Sequence, residues 1–237
     1  MSTKPKLGQL ESTFAAQEDG TIAVRVYNTM KKCIIQLMLM PGSSISEADV
    51  SKTLGVSRQP VREAFIKLAD VGLVEIRPQR GTFVVMISRR DVKNAQFMRE
   101  ALEVAMVRKA ATADDKDTLV AELDRIIERQ ELASKQKDNK EFLRLDEAFH
   151  SAIAAGVDCA LGWRLVSDMK IQLDRVRFLS LNDATPVSAL VAQHRAIVSA
   201  IASGDMQIAQ ETMEVHLREI LKSLPAIERD NEELFCA

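Results

Sequence analysis

The first third of the chain shows short helical patterns separated by glycine and proline. Apolar residues recur every three or four positions over residues 21–37, and Pro41–Gly42 then breaks the pattern. A second helix is predicted from Ser46, which is a favourable N-cap, to Leu54, and Gly55 ends it. Two helices joined by a loop are therefore expected here.

A third helix follows after a tight turn. Its apolar face is formed by Val61, Ala64, Phe65 and Leu68, which have the spacing of one buried helical face. Pro60 lies in the first turn, where a missing N–H costs nothing, and Gly72 ends the helix. Leu73–Arg77 and Thr82–Met86 then predict two strands of a hairpin. The pattern indicates a helix-turn-helix followed by a short β-hairpin.

Beyond residues 87–90, a short linker, the pattern is helical throughout. Six amphipathic helices are predicted, namely Asp91–Thr112, Lys116–Gln136, Asn139–Ala155, Ala160–Leu181, Pro186–Ser203 and Asp205–Leu224. The predicted fold is therefore mostly α. It comprises a flexible arm (1–20), a winged helix-turn-helix (21–86), the linker (87–90), an all-α six-helix bundle (91–225) and a frayed tail (226–237).

The two predicted domains differ in net charge. A length of 237 residues also suggests two domains rather than one. Net charge is −2 overall, but residues 1–90 hold 13 Lys and Arg against 8 Asp and Glu. The remaining 19 basic and 26 acidic residues give the rest of the chain a net charge of −7. A basic first domain on an acidic body is the distribution expected when DNA is bound at one end only.

Cysteine usage and hydropathy indicate the cellular compartment in which the protein resides. Cys33, Cys159 and Cys236 are isolated and form no CxxC pair, which favours a reducing cytosol over a disulfide framework. No signal peptide and no apolar run long enough to span a membrane is found. We expect a protein of the bacterial cytosol that has no membrane partner.

The start of the third helix carries the candidate DNA-reading residues. Ser57 is its N-cap, while Arg58, Gln59 and Arg62 fall outside the apolar face. Arginine and amide side chains can donate to base edges and phosphates, and the free N–H groups of a helix start attract an anion. An ordinary helical hairpin with solvated arginines is the alternative. The additional basic hairpin, with Arg80 at its tip, favours DNA binding.

These residues carry a resemblance to a known family. The segment SRQPVREAFIKLADVGLVEIRPQRGTFV is similar to the winged helix of GntR-superfamily transcription regulators, and the likeness spans roughly residues 24–86. It implies that Arg58, Gln59 and Arg62 contact an operator, with Arg80 and Gly81 at the wing tip. The family usually has a small hydroxylated residue where this chain has Gln59.

All three histidines lie in the predicted bundle. Asp146 precedes His150 by four residues, so both share one helix face, and His194 and His216 lie on two further helices. Three imidazoles and a carboxylate could close around one divalent cation, for which Zn²⁺, Ni²⁺ and Mn²⁺ are all suitable. Packed or surface histidines, and a simple Asp146–His150 hydrogen bond, are the alternatives.

The bundle also resembles a known domain. The segments LDEAFHSAI, AQHRAIVSAI and VHLREIL are similar to FCD, the effector domain of the FadR branch of GntR regulators. That domain begins with an Arg-x-x-Leu-Glu pattern, here Arg99, Leu102 and Glu103. The resemblance implies a divalent metal, with zinc preferred, and the shorter VanR-type bundle. The implied ligands are Asp146, His150, His194 and His216.

A small carboxylate metabolite is the expected effector, because open metal positions and arginines both bind carboxylates. Arg99 is a candidate clamp, and a surface ion pair with Glu103 is its alternative role. We name Arg175 as the second candidate, although helical phase does not decide between Arg175 and Arg177.

Together these features predict a ligand-responsive transcription regulator, most simply a repressor. A homodimer is expected on an inverted-repeat operator of double-stranded DNA, because one recognition helix covers only a half-site. A metal-dependent hydrolase with a DNA-targeting module is an alternative, but HExxH, a nucleophile elbow and a phosphate loop are missing from the sequence. An architectural DNA binder with a structural metal is a second alternative. We therefore expect no enzyme activity.

Overall fold

The structure is a computed structural model that describes residues 8–17, 19–183 and 185–236. These residues form two compact units. The first unit combines the described residues up to Arg90 with those from Asn231 onwards, and the second unit is Asp91–Asp230. Within the described residues, no helix combines the length and the apolar content needed to cross a bilayer.

The first unit is a winged helix. Its elements in chain order are α1 (Gly8–Ala15), α2 (Ile22–Ile35), β1 (Ser44–Ile45), α3 (Glu47–Leu54), α4 (Arg58–Asp70), β2 (Val74–Arg77), β3 (Gly81–Val84) and β4 (Ile87–Ser88). Strands β1, β3 and β2 form an antiparallel sheet in that order. Sequence analysis predicts the hairpin β2–β3 but not β1, because a two-residue strand has no periodicity to detect.

The predicted caps position the helix-turn-helix. The Ser46 hydroxyl accepts hydrogen bonds from the backbone N–H of Ala48 at 3.2 Å and of Asp49 at 3.4 Å. Gly55 ends α3 with φ of +64°, a conformation that glycine adopts without strain. The predicted apolar face of α4 is buried, and α4 packs on α2. The opposite side of α4 therefore faces solvent.

The structure contradicts the predicted flexible arm over Gly8–Ala15. Gly8–Ala15 form helix α1, and Leu10 within it is 1% exposed. The Arg25 guanidinium lies over the Phe14 ring, 4.4 Å from its centroid. The prediction is therefore wrong for this stretch, because burial of Leu10 orders a helix that has little periodicity of its own. Residues 1–7 and 18 lie outside the described residues.

The prediction of a frayed C-terminal tail is wrong. Helix α11 (Met206–Asp230) continues through Pro225. Proline removes one helical hydrogen bond, but Leu224 and Ile227 on either side of it are each 4% exposed, so packing outweighs that loss. A 3₁₀ turn and strand β5 (Phe235–Cys236) follow the helix.

Strand β5 pairs in parallel with β4, so the predicted linker at 87–90 is also ordered. Ile87 pairs with Phe235, and the Arg89 guanidinium donates to the Cys236 carbonyl at 3.0 Å. Phe235 is 6% exposed. Strand β5 is thereby part of the first unit.

The second unit is all-α, as predicted. Its helices are α5 (Arg89–Ala111), α6 (Lys116–Gln136), α7 (Asn139–Gly156), α8 (Ala160–Met169), α9 (Ile171–Asp183), α10 (Val187–Ser203) and α11. The fourth predicted helix is divided at Lys170, which gives seven helical segments where six were predicted. At this break the buried Lys170 ammonium donates to the carboxylates of Glu147 at 2.7 Å and Asp174 at 2.8 Å.

The core of this unit is mainly aliphatic, and only 4% of the residues of the chain are aromatic. Two buried phenylalanines, Phe142 and Phe149, pack with leucines, isoleucines and alanines of α5, α6, α7, α10 and α11. A set of polar side chains is buried together with this core, and it includes Arg99, Asp146 and all three histidines. Polar groups buried in this way need partners, and those partners define the candidate site.

Candidate DNA-binding face and metal centre

The first turns of α4 present the predicted DNA-reading residues to solvent. Ser57, Arg58, Gln59 and Arg62 are all exposed. Within the described ranges, the guanidinium groups of Arg58 and Arg62 have no ion pair or hydrogen bond, while the Gln59 amide donates to Glu63 at 3.0 Å. Two free guanidinium groups therefore project from the positive end of a helix.

The hairpin adds a third arginine. Arg80 is exposed at the tip, between Gln79 at φ +60° and Gly81 at φ +100°. Arg77 is held instead by Glu75 at 2.7 Å and lies over the Phe83 ring at 4.7 Å. Arg80 rather than Arg77 is thus the wing residue whose charge is available to DNA.

Four predicted metal ligands converge inside the second unit. Asp146 and His150 come from α7, His194 from α10 and His216 from α11, and all four are buried. One ligand atom from each lies within 4.8 Å of the others. The Nε2 atom of His216 is 3.2 Å from that of His150 and 3.3 Å from that of His194. All three imidazoles therefore point Nε2 at one centre.

Each imidazole has a separate oxygen beside Nδ1. Nδ1 of His194 is hydrogen-bonded to the Gln130 oxygen at 2.8 Å, and Nδ1 of His216 to the Gln193 oxygen at 3.0 Å. Nδ1 of His150 lies 2.5 Å from a Glu103 oxygen, a charge contact without hydrogen-bond geometry. An acceptor at Nδ1 places the proton there and leaves the Nε2 lone pair for a cation.

Sequence reasoning missed two of these acceptors and gave Glu103 only the role of an ion-pair partner. One signal was present for Gln130. It occupies the buried face of α6, which is otherwise formed by Leu119, Leu123, Ile127 and Ala133. A glutamine on such an apolar face is unusual and predicts a buried polar partner. Gln193 offers no comparable signal.

Burial and neighbouring charges fix the protonation of the site. Burial lowers the pKa of His194 to about 3 and that of His216 well below its usual value. Burial opposes ionisation of Asp146, but Arg177 and the histidines hold its pKa well below the ordinary range. At neutral pH these groups supply neutral nitrogen donors and one anionic oxygen, as a divalent cation requires.

The donor set fits a metal ion. Bonds of about 2.0–2.1 Å to a shared ion place neighbouring ligand atoms about 3.0–3.4 Å apart. The two Nε2–Nε2 separations, 3.2 and 3.3 Å, fall in that range, and Asp146 Oδ1 lies 3.6 Å from His194 Nε2. That oxygen is buried and accepts no hydrogen bond within the part of the chain that the structure describes. A cation would satisfy it.

A cavity of about 30 Å³ adjoins the cluster. The charged residues and the histidine of its lining are Arg99, Asp146, Arg177, Glu219 and His216. Ser180 and Thr185 add two hydroxyl groups, and the rest of the lining is apolar. Arg99 is 3% exposed, so its alternative role in a surface ion pair is excluded. Its Nε donates to Glu103 at 2.6 Å, and one terminal nitrogen lies 3.0 Å from His150 Nε2.

Arg177, not Arg175, reaches the cavity. Arg177 pairs with the Asp146 carboxylate and with Glu147 at 3.1 Å, and these ion pairs and that with Asp174 raise its pKa despite burial. Arg175 is fully buried elsewhere and donates to Gln172 at 3.1 Å. Two residues apart on a helix, the side chains point to nearly opposite faces. The choice of Arg175 as the second clamp is therefore corrected.

Comparisons with known proteins agree with both units. Residues 22–84 match the family described as bacterial regulatory proteins, gntR family, and residues 95–219 match the FCD domain. The chain is 37% identical over 211 residues to the HTH-type transcriptional repressor RspR of Escherichia coli (strain K12), covering 89% of this chain and 92% of that protein.

Two further likenesses span most of the chain. An HTH-type transcriptional regulator in an unstable DNA locus of Streptomyces ambofaciens is 37% identical over 221 residues, which cover 93% of this chain and 92% of that protein. The solved structure of E. coli McbR/YncC superposes with a TM-score of 0.73 at 17% identity, covering 90% of this chain and 99% of that one. The latter shows similarity of fold alone.

Proposed function

Because the chain belongs to the GntR family of bacterial regulatory proteins and carries an FCD domain, we propose that it is a repressor controlled by a metal-bound carboxylate metabolite. It is a DNA-binding transcription regulator rather than an enzyme. The observation that carries the proposed control is the buried cluster of Asp146 and three histidines beside two cavity-lining arginines.

DNA binding uses the exposed start of α4. Arg58, Gln59 and Arg62 read base edges in the major groove of double-stranded DNA, and Ser57 and the helix N-terminus contact phosphate. Arg80 follows the backbone or the neighbouring groove, with Gly81 allowing close approach. A homodimer supplies two such units to an inverted-repeat operator in the bacterial cytosol.

The metal is held by Asp146, His150, His194 and His216. Zinc suits this mixture of imidazole and carboxylate, and nickel and manganese are the other candidates. The bound ion supplies a Lewis-acidic position for a carboxylate oxygen of the effector. Gln130 and Gln193 hold His194 and His216 in the tautomer that this requires, and the Glu103 carboxylate lies against Nδ1 of His150.

Arg99 and Arg177 bind the effector carboxylate from the cavity side, since guanidinium pairs with carboxylate through two parallel hydrogen bonds. The cavity beside these guanidinium groups opens onto Asp146 and His216, so an effector carboxylate there would lie next to the proposed metal. Such an effector changes DNA affinity if it binds one arrangement of helices better than another.

Elemental analysis of freshly purified protein, combined with operator titrations, tests this function. We expect about one divalent ion per chain, and an operator affinity that a small carboxylate lowers only in the metal-loaded protein. Chelator-treated protein is the matched control. An operator affinity indifferent to every metabolite, with metal present, would instead favour an architectural DNA binder with a structural metal. Metal-free protein that responds normally would overturn the metal's role.

A further inference from the structure

Helix α8 carries an apolar stripe on its solvent side. Leu161, Leu165 and Met169 are spaced by four residues and are 62%, 49% and 36% exposed. The flank of the helix beside this stripe is buried through Gly162 and Val166. The position of Gly162 is tight, because an added methyl group would lie 2.6 Å from the Met106 methyl carbon. The helix is thus fixed to the bundle with large apolar side chains facing outward.

Two opposite charges border this stripe. Arg164 and Asp168 are both exposed. Within the described residues neither makes an ion pair or a hydrogen bond, even though a separation of four residues would allow them to pair with each other. Their charges are therefore free to meet a partner.

The arrangement is complementary to itself. At 100° per residue, Arg164 and Asp168 lie on the same flank of the stripe. A two-fold axis perpendicular to α8, lying beside the stripe midway between the levels of Arg164 and Asp168, brings a second α8 antiparallel to the first and keeps each flank on its own side. Arg164 then faces Asp168 of the partner subunit, and Asp168 faces the partner's Arg164. The same axis sets Leu161 against the partner's Met169 and Leu165 close to its own copy.

We propose that this face of α8 is the centre of a two-fold interface with a second copy of the chain. A two-fold contact must use the same patch twice, and a patch with both charges on one flank meets that requirement. Apolar residues at the centre with charges at the edge are also the usual anatomy of an interface. The proposal rests on the homodimer of the proposed function, and it assigns the surface that forms it.

A charge-reversal series on the full-length protein tests the proposal. Arg164→Asp alone and Asp168→Arg alone each place like charges opposite one another. We expect each to raise the dissociation constant of the dimer at least about tenfold. The double variant, Arg164→Asp with Asp168→Arg, restores opposite charges and should recover most of the lost affinity. Analytical ultracentrifugation without DNA measures each constant.

Leu165→Asp tests the apolar centre, because a residue near the axis meets its own copy and two carboxylates would then repel each other. We expect this variant to be monomeric. Leu132→Asp on α6 is the matched control, since Leu132 is 54% exposed and outside the stripe, and it should remain dimeric. Circular dichroism and metal content confirm folding in all variants.

Three outcomes are distinguishable. Monomeric Leu165→Asp protein with rescue in the double charge variant supports α8 as the interface. A Leu165→Asp protein that stays dimeric and binds the operator overturns the α8 surface while leaving the proposed function standing. A wild-type protein that is monomeric both alone and on its operator overturns the homodimer itself.

Discussion

The side-chain oxygen of Gln130 lies 2.8 Å from Nδ1 of His194, and its amide nitrogen donates to the Leu145 carbonyl at 3.2 Å. Gln130 is fully buried, so both ends of its amide are used and its orientation is set. The hydrogen bond from His194 leaves the Nε2 lone pair directed at the three other ligands. Gln130 on α6 therefore orients His194 on α10, one of the four proposed metal ligands.

Gln130→Met tests this relationship, because methionine fills a similar volume without offering a strong acceptor. We expect the metal dissociation constant to rise about 10- to 100-fold, as is typical when the partner of a ligating histidine is lost. Competition with a fluorescent chelator measures the change. Gln136→Met at the exposed end of the same helix should have no effect. Equal metal affinity in both variants would contradict the orienting role.

His150→Ala should remove stoichiometric metal, because three ligands remain where four converge. The melting temperature should fall, since the ligands join α7, α10 and α11 and metal binding contributes to folding. Some operator binding should persist because the winged helix has its own core. Mass spectrometry under native conditions and calorimetry provide the readouts. The wild type treated with chelator should behave like the variant, and a variant with full metal occupancy would exclude His150 as a ligand.

Arg58→Ala, Arg62→Ala and Arg80→Ala should weaken operator binding without unfolding the protein. A lost bidentate contact to a base costs about 1–3 kcal/mol and relaxes specificity at that base pair. If an arginine contacts only phosphate, specific and non-specific affinity should fall together. Fluorescence anisotropy with operator and scrambled DNA separates these cases. Lys67→Ala, exposed in the last turn of α4, is the control, and unchanged binding in all three variants would reject this face.

The metal-free protein should lose stability below about pH 6.5, the pKa of histidine in an unfolded chain. Burial lowers the pKa of His194 to about 3 and that of His216 well below its usual value, so only the unfolded state takes up these protons between pH 6.5 and 5. The free energy of unfolding should fall by about 1–2 kcal/mol per histidine over that interval.

Urea denaturation of chelator-treated protein at several pH values measures this slope. Asp146 and Glu103 do not interfere, because both have lowered pKa values, Glu103 about 2 through Arg99 and His150 despite burial. Carboxylates of this kind lose their stabilising effect only below about pH 4.3. His194→Gln should flatten the dependence, and a wild-type stability independent of pH in this interval would refute the assigned charge states.

The helix-turn-helix and the clustering of Asp146 with the three histidines were predictable from the sequence for physical reasons. Caps such as Ser46 act locally, and Asp146 and His150 share a helix face through their spacing alone. The acceptors behind the histidines could not be found in this way, because Gln130 meets His194 only after two helices pack. Which of Arg175 and Arg177 reaches the cavity likewise depends on the rotation of α9 within the bundle.

The pairing of β4 with β5 was equally hidden from the sequence. The contact from Arg89 to Cys236 joins residues 147 positions apart, and two-residue strands carry no pattern. Proline also disfavours a continuous helix, so Pro225 gave no indication of the ordered structure that follows it. The segment after Pro225 is ordered because Phe235 is buried against residues distant in the sequence. Such burial is not visible in local composition.

The pairing of β4 with β5 determines which fragments of the protein contain the complete first unit. A fragment that stops at Arg90 would contain the whole winged-helix motif yet lack one strand of its unit, so Ile87 would lose its backbone neighbour Phe235. Chimeras that exchange DNA-binding heads between relatives should therefore carry residues 231–237 together with residues 1–90.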